Sequence, residues 1–262
     1  MLCSVIDDID YKITHIFRGE DHINNTAIQL QMLEAMKAPI PHFGHLSFLK
    51  AKEEKISKRV GGFEVSKLAE DGIEAMTINS FFAYIGTSKP VIVKKKLQDL
   101  VADFDINVFS SSPTIYSPEE LLLLNHKLLI QLEYNEAISA LRNIGIEFID
   151  EEFWLAIRAN LNNLKEAKLW WDICKKPIRM TDVSLDRNFL KAAVELLPEG
   201  DFDQNTWQEW TARLSKATAK KGKELYMPIR LALTGIDHGP EMKLLLPLIG
   251  RSQTQKRLSS LC

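Results

Sequence analysis

Lys55-Ile56-Ser57-Lys58-Arg59 places two lysines around a serine, with an arginine beside the second. Ammonium groups on such a loop can close on a triphosphate and offset the charge that builds on departing pyrophosphate, which is electrostatic stabilisation of a transition state. A basic cluster of this size alone is equally a solvated turn. Its weight comes from a polar cluster upstream, Arg18-Gly19-Glu20-Asp21-His22, which follows the apolar run Ile13 to Phe17. Arg18 should emerge at the carboxyl end of a strand, where α/β folds bind ligands, and its planar fork suits a carboxylate. The structural alternative is a salt bridge from Arg18 to Glu20 or Asp21. Asp21 can equally cap the helix that follows. No metal site is expected: His22 has no second ligand at helical spacing, and Asp7, Asp8 and Asp10 read as aspartates that order a loop.

The elements that must position these groups follow from periodicity and breakers. An apolar strand is expected directly after Met1 to Ser4, and a second over Ile13 to Phe17. Helical spacing runs from Asn24 to Met36 and stops at Pro39-Ile40-Pro41; a further strand is expected over Phe43 to Leu49, with His42-Phe43-Gly44-His45 the loop entering it. Strand, helix, strand is the parallel-sheet unit of an α/β domain. Gly61-Gly62 gives the chain backbone freedom after the lysine loop, and helical patterns follow at Val65 to Glu70 and Thr77 to Ile85. Beyond Pro90 nearly everything is helical in pattern, beginning with Val91 to Ala102 and ending with Met242 to Ile249. Phe109-Ser110-Ser111-Ser112-Pro113 is the best candidate linker. The fold class is mainly α with an α/β start.

Val5-Ile6-Asp7-Asp8-Ile9-Asp10, Ile13-Thr14-His15-Ile16-Phe17-Arg18-Gly19-Glu20-Asp21-His22 and the Lys55 loop occur in that order. Together they resemble the second half of the catalytic domain of the bacterial glutamate–tRNA ligases, which are class I aminoacyl-tRNA synthetases. The resemblance continues through Phe104-Asp105-Ile106, Ser117-Pro118-Glu119-Glu120-Leu121 and Asn125, and reaches Pro228-Ile229-Arg230-Leu231-Ala232-Leu233-Thr234-Gly235. It implies a remnant of a Rossmann-like catalytic domain over 1–75, a helical stem-contact segment over 76–112, and all-helical anticodon-binding subdomains over 113–190 and 191–262. It further implies glutamate, ATP with Mg2+ carried by the ATP, and tRNA(Glu) or tRNA(Gln) as the molecules handled. Lys55 and Lys58 would be catalytic and, with Ser57 and Arg59, would hold ATP; Arg18, Asp21 and His22 would bind the amino acid. Val60 stands where the family often has His, and Gly86-Thr87 replaces a common Gly-Trp. The family's upstream ATP signature has no counterpart, so the chain alone is expected to be inactive, beginning in the middle of a fold. Besides a glutamate–tRNA ligase, two readings stay open: a second-copy enzyme charging tRNA(Gln), and a helical tRNA-binding module without catalysis.

In the helical half, Arg213, Lys216, Lys220, Lys221, Lys223 and Arg230 form the most basic segment, followed by Asp237-His238-Gly239-Pro240-Glu241-Met242. Such a stripe suits phosphates and such a loop suits splayed bases; a solvated face followed by a turn is the plain alternative. The resemblance makes Arg230, Gly239, Pro240 and Met242 tRNA contacts, and Arg158, exposed by pattern, another. Most of Trp154, Trp170, Trp171, Trp207 and Trp210 should be bundle core.

A chain of 262 residues, 45% apolar, can hold more than one core. Its formal net charge of −2 advertises no global field for nucleic acid, although a local stripe suffices. Three widely spaced cysteines suit neither a disulfide scaffold nor a zinc site, and their thiols should be reduced. With no apolar run of membrane-spanning length, the expected setting is cytoplasmic, with no membrane partner, and the expected state a monomer.

Overall fold

The structure is a computed structural model that describes residues 1–51, 64–146, 149–177 and 185–262. Lys55, Ser57, Lys58 and Arg59 lie outside the described residues. The chain forms two compact units, 1–124 and 125–262.

The first unit opens with a helix, α1 (Leu2–Asp10), rather than the expected strand. Leu2, Val5, Ile6 and Ile9 recur at three- and four-residue intervals, a helical period, and Val5 is the buried member. Strand β1 (His15–Gly19) leads into α2 (Ile23–Ala35) and back to β2 (His42–Leu46). The two strands pair in parallel, His15 opposite His42 through to Gly19 opposite Leu46, so the expected strand–helix–strand unit is present. His42 to His45 belong to the strand itself, which corrects their reading as a loop. Gly44 explains how: it lies opposite Phe17, whose ring occupies the space a side chain would need, 2.4 Å from where a Cβ would sit.

A second parallel pair joins β3 (Leu49–Ala51) to β4 (Thr114–Tyr116). Between them come α3 (Val65–Glu70), α4 (Ala75–Tyr84) and α5 (Leu97–Asp103). The helix expected from Val91 starts only at Leu97, because Val91 and Val93 pack against the core and the Lys94 N–H donates to Ser80 Oγ at 3.0 Å, committing this stretch elsewhere. Ile73, Ile78, Phe81, Ile85, Leu121 and Leu124 form that core; burying a side chain such as Phe81 contributes about 2 kcal/mol. The serine-rich stretch 109–113 sits within the first unit, where Phe109 bridges to Thr87, and the division between units falls inside α6 (Pro118–Gln131).

The second unit is helical throughout its described residues: α7 (Tyr134–Asn143), α8 (Glu151–Ile157), α9 (Glu166–Lys175), α10 (Arg187–Glu195), α11 (Thr206–Thr218), α12 (Lys223–Thr234) and α13 (Met242–Ser259). Helix α13 is interrupted at Gly250 (φ 76°, ψ 161°), one residue past the expected end at Ile249, and then resumes. Trp154, Trp170 and Trp210 are buried in one continuous core, and Trp171 and Trp207 pack against it. The indole N–H groups of Trp154 and Trp210 donate to the carbonyls of Leu132 and Ala193, which keeps these large side chains satisfied.

Candidate functional site

At the carboxyl end of β1, Arg18 faces His45 directly across the ladder. Both reach Thr26 on α2: Arg18 Nη2 donates to Thr26 Oγ1, and His45 Nε2 lies 2.8 Å from the same oxygen. The hydroxyl donates its one proton to the His22 carbonyl at 3.1 Å, so His45 Nε2 is the donor in the other contact. The guanidinium carbon stands 5.1 Å from the Phe43 ring centroid, on the same sheet face. Arg18 Nε is buried and has no hydrogen-bond partner among the described residues. A guanidinium held on one nitrogen and one ring face keeps donors for a carboxylate.

The salt-bridge alternative for Arg18 is not what the described residues show. Glu20 Oε1 accepts the Phe48 N–H at 3.3 Å, and Asp21 Oδ2 lies 3.6 Å from His22 Nε2. Nor does Asp21 cap α2; the cap position is His22, whose side chain makes no capping hydrogen bond to the helix backbone. Asp21 sits in the 3-10 turn Glu20–His22, with its Oδ1 over Gly19, where a Cβ would meet it at 2.4 Å. Asp21 and His22 are both exposed, and His22 Nδ1 is 3.0 Å from Asn25 Nδ2. The structure sets Arg18 at the end of β1 and Asp21 and His22 in the turn directly after it, and it adds Thr26 and His45, which the sequence reading did not single out. The signal for His45 was the alternation of Phe43 and His45 on one strand face, once 42–46 is read as a strand.

In the second unit the expected RNA contacts divide. Arg158 is half-buried rather than exposed: its Nη1 donates to the Leu132 carbonyl at 2.9 Å, just ahead of α7. Arg230 donates from Nη1 to the His238 carbonyl at 2.9 Å and from Nη2 to the Pro240 carbonyl at 2.5 Å, so its fork fastens the loop after α12. Burial lowers the Arg230 pKa, and the Asp237 carboxylate opposes that shift. Pro240 and Met242 are buried. Gly239 adopts φ +111° with its α-carbon against Trp170, where a Cβ would lie 2.3 Å from the indole. The loop is thus fixed by its arginine and by a tryptophan face, and it exposes Asp237, His238 and Glu241. A cavity of about 270 Å³ beside it is lined in part by Trp207, Tyr226 and Met242.

Residues 1–122 match the family model for the catalytic domain of class I tRNA synthetases of the E and Q type, and residues 172–262 match an anticodon binding domain. Glutamate–tRNA ligase 1 of Rickettsia bellii is 56% identical over 260 residues. The corresponding protein of Rickettsia felis is 53% identical, and glutamate–tRNA ligase 2 of Rickettsia canadensis 51%.

Over nearly its whole length the chain is a homologue of the glutamate–tRNA ligases.

These alignments cover 99% of this chain and 58% of each relative, so the chain spans a little over half the length of the ligases it matches. The fold is similar as well. A glutamate–tRNA ligase from Elizabethkingia meningosepticum, solved in complex with its amino acid, superposes with TM-score 0.79 over 98% of this chain and 58% of its own, at 20% identity. The glutamate–tRNA synthetase of Elizabethkingia anophelis gives 0.77. In this family frame Arg18 lies inside the catalytic-domain match, and Arg230 and the Gly239 loop lie inside the anticodon-domain match.

Proposed function

We propose that this chain carries the glutamate-binding and tRNA-reading portions of a glutamate–tRNA ligase, acting in the ATP-dependent attachment of glutamate to tRNA(Glu). The observation that supports this best is the match of 99% of the chain to glutamate–tRNA ligases at 51–56% identity. In this reading the glutamate carboxylate attacks the α-phosphorus of ATP, pyrophosphate leaves, and a terminal ribose hydroxyl of the tRNA then displaces AMP from the adenylate carbonyl. Arg18, held by Thr26 and set against Phe43, orients a substrate carboxylate. Asp21 and His22 stand at the same strand end and shape the approach. Lys55, Ser57, Lys58 and Arg59 close on the triphosphate, with Lys58 countering charge on the leaving group, and Mg2+ arrives bound to ATP.

The proposed organisation is a catalytic remnant over 1–75, a stem-contact segment over 76–112, and two helical RNA-reading subdomains over 113–190 and 191–262. Arg230, Gly239, Pro240 and Met242 contribute by shaping the loop that meets RNA, and Arg158 by holding the carbonyl ahead of α7. The protein works in the cytoplasm as a monomer.

The test is a chimera that joins the segment of the R. bellii ligase outside the match to this chain. It should support glutamate-dependent ATP–pyrophosphate exchange, and K58A should lose at least 100-fold of that rate. A folded chimera without exchange, or one indifferent to K58A, would overturn the proposal.

A further inference from the structure

Arginine is a long, rotamer-rich side chain. A carboxylate bound by one gains most when the guanidinium is already aimed, because ordering it at the moment of binding costs affinity. Arg18 is aimed without a carboxylate of its own: Glu20 and Asp21 are engaged with the Phe48 N–H and with His22. Its direction comes from Thr26 Oγ1, which accepts from Nη2, and from the Phe43 ring, 5.1 Å from the guanidinium carbon.

His45 governs the first of these. A threonine hydroxyl turns about its C–O bond, so where its lone pairs point depends on what surrounds it. On Thr26 the His22 carbonyl takes the proton at 3.1 Å, and the imidazole Nε2–H occupies one lone pair at 2.8 Å. The remaining lone pair faces Arg18. Two nitrogens that share one oxygen are neighbours, so the imidazole also fills space beside Nη2 into which the guanidinium would otherwise swing. The sheet keeps the ring there: His45 lies opposite Arg18 in the β1–β2 register, half-buried, two residues after Phe43 on the same strand face.

We propose that His45 is a positioning residue for glutamate binding, one that acts through Thr26 to hold the Arg18 guanidinium in line with a substrate carboxylate. The inference rests on the ligase reading of Arg18 given above, and it assigns a role to a residue to which that reading gave none. What His45 supplies is an N–H donor at a fixed reach. A side chain with an amide N–H at the same reach should therefore substitute for it, and one of similar bulk without a donor should not.

Two measurements test this. In the intact chain, 15N relaxation of the Arg18 Nε–H group, which is buried and so shielded from solvent, reads the order of the guanidinium directly. His45→Ala and His45→Leu should lower its heteronuclear NOE toward that of a surface arginine, while His45→Gln, whose Nε2 reaches the place of the imidazole Nε2, should keep it near the parent. In the chimera with the R. bellii segment, His45→Ala should raise KM for glutamate about 10-fold in ATP–pyrophosphate exchange, with kcat and KM for ATP little changed. His45→Gln should restore the glutamate KM to within about twofold of the parent. A merely structural histidine would instead reduce the number of active molecules, lowering kcat at constant KM. An Arg18 as ordered in His45→Ala and His45→Leu as in the parent overturns the positioning role, and so does an unmoved glutamate KM in an active chimera; either result leaves the ligase reading standing. A folded parent chimera without exchange overturns both.

Discussion

Arg18 and His45 sit opposite one another across the β1–β2 ladder and meet on a single atom, Oγ1 of Thr26. A hydroxyl has one proton and two lone pairs, and here all three are engaged: one proton to the His22 carbonyl, two lone pairs to the facing side chains. Thr26→Val keeps the shape and strips this hub, leaving two donors in a part-buried site without an acceptor. The expected loss is about 1–3 kcal/mol of local stability. Hydrogen exchange of the β1 and β2 amides reads it, with Thr26→Ser as the variant that restores protection. Unchanged exchange in T26V would mean the hub holds nothing.

Gly239 and Gly200 offer a matched pair. Both have positive φ, +111° and +83°, but only at Gly239 would a Cβ strike the Trp170 ring, whereas nothing lies within 4 Å at Gly200. Gly200→Ala should cost about 1–2 kcal/mol, the left-handed backbone penalty alone. Gly239→Ala should cost more than that and shift tryptophan emission, since the indole must move. Urea unfolding followed by fluorescence suits the measurement, as all five tryptophans lie in the second unit. Equal costs for the two variants would contradict the packing.

Arg257 is 2% exposed and gives its guanidinium to three carbonyls: Leu233 at 2.6 Å, Ile173 at 2.6 Å and Lys176 at 3.0 Å. It therefore ties α13 to the carboxyl ends of α9 and α12, next to the loop that Arg230 fastens. Hydrogen bonds from a charged donor contribute about 1.5–3 kcal/mol each, so Arg257→Met should destabilise the second unit by on the order of 3 kcal/mol after partial relaxation. Arg257→Lys should recover little, because one ammonium cannot span three acceptors in this geometry. Denaturant midpoints for the two variants decide the point.

Acid should weaken the second unit through Asp186. Its pKa is lowered, first by the side-chain hydrogen bond from Lys220, at 2.8 Å, and then by the Phe189 N–H at the start of α10. A carboxyl whose folded pKa lies below its unfolded value stabilises above the unfolded value and loses that contribution as pH falls through the folded one. The loss therefore sets in as pH falls through the ordinary carboxylate range near pH 4 and continues below it. Asp186→Asn should flatten the fall in the urea midpoint between about pH 5 and pH 2.5 relative to the parent. Parallel curves for parent and variant would remove Asp186 from the account.

Cys174 is buried, and burial pushes its thiol up to about 12, while Cys3 is exposed. Iodoacetamide at pH 8 should label Cys3 quickly and Cys174 only after unfolding, because the thiolate is the reactive form. Rapid labelling of Cys174 in the native chain, read by peptide mass, would contradict the packing around α9.

How much of this was legible in the sequence depended on whether local pattern or tertiary contact decided the outcome. The strand before Arg18, helix α2 and most helices after Pro118 follow from spacing and breakers, and they came out within a few residues. Helix α1 stands where a strand was expected: Leu2, Val5, Ile6 and Ile9 carry the helical period, but over so short an apolar run a strand and a helix share much of their pattern. His45 was missed for a different reason: its role exists only once β2 pairs beside β1 and sets it opposite Arg18. Arg158 and Arg230 looked like RNA contacts by charge. Whether an arginine spends its donors on carbonyls is a matter of three-dimensional reach that no local pattern encodes.

The most direct test of the central claim is salt-dependent binding of this chain to tRNA(Glu), tRNA(Gln) and a tRNA(Glu) whose anticodon has been swapped. Preferential binding of tRNA(Glu) at every salt concentration, with the preference lost in the swapped control, is the result expected of a glutamate–tRNA ligase's RNA-reading portion. Equal binding to all three that disappears together as salt rises would reduce the helical unit to a generic basic surface and contradict the account.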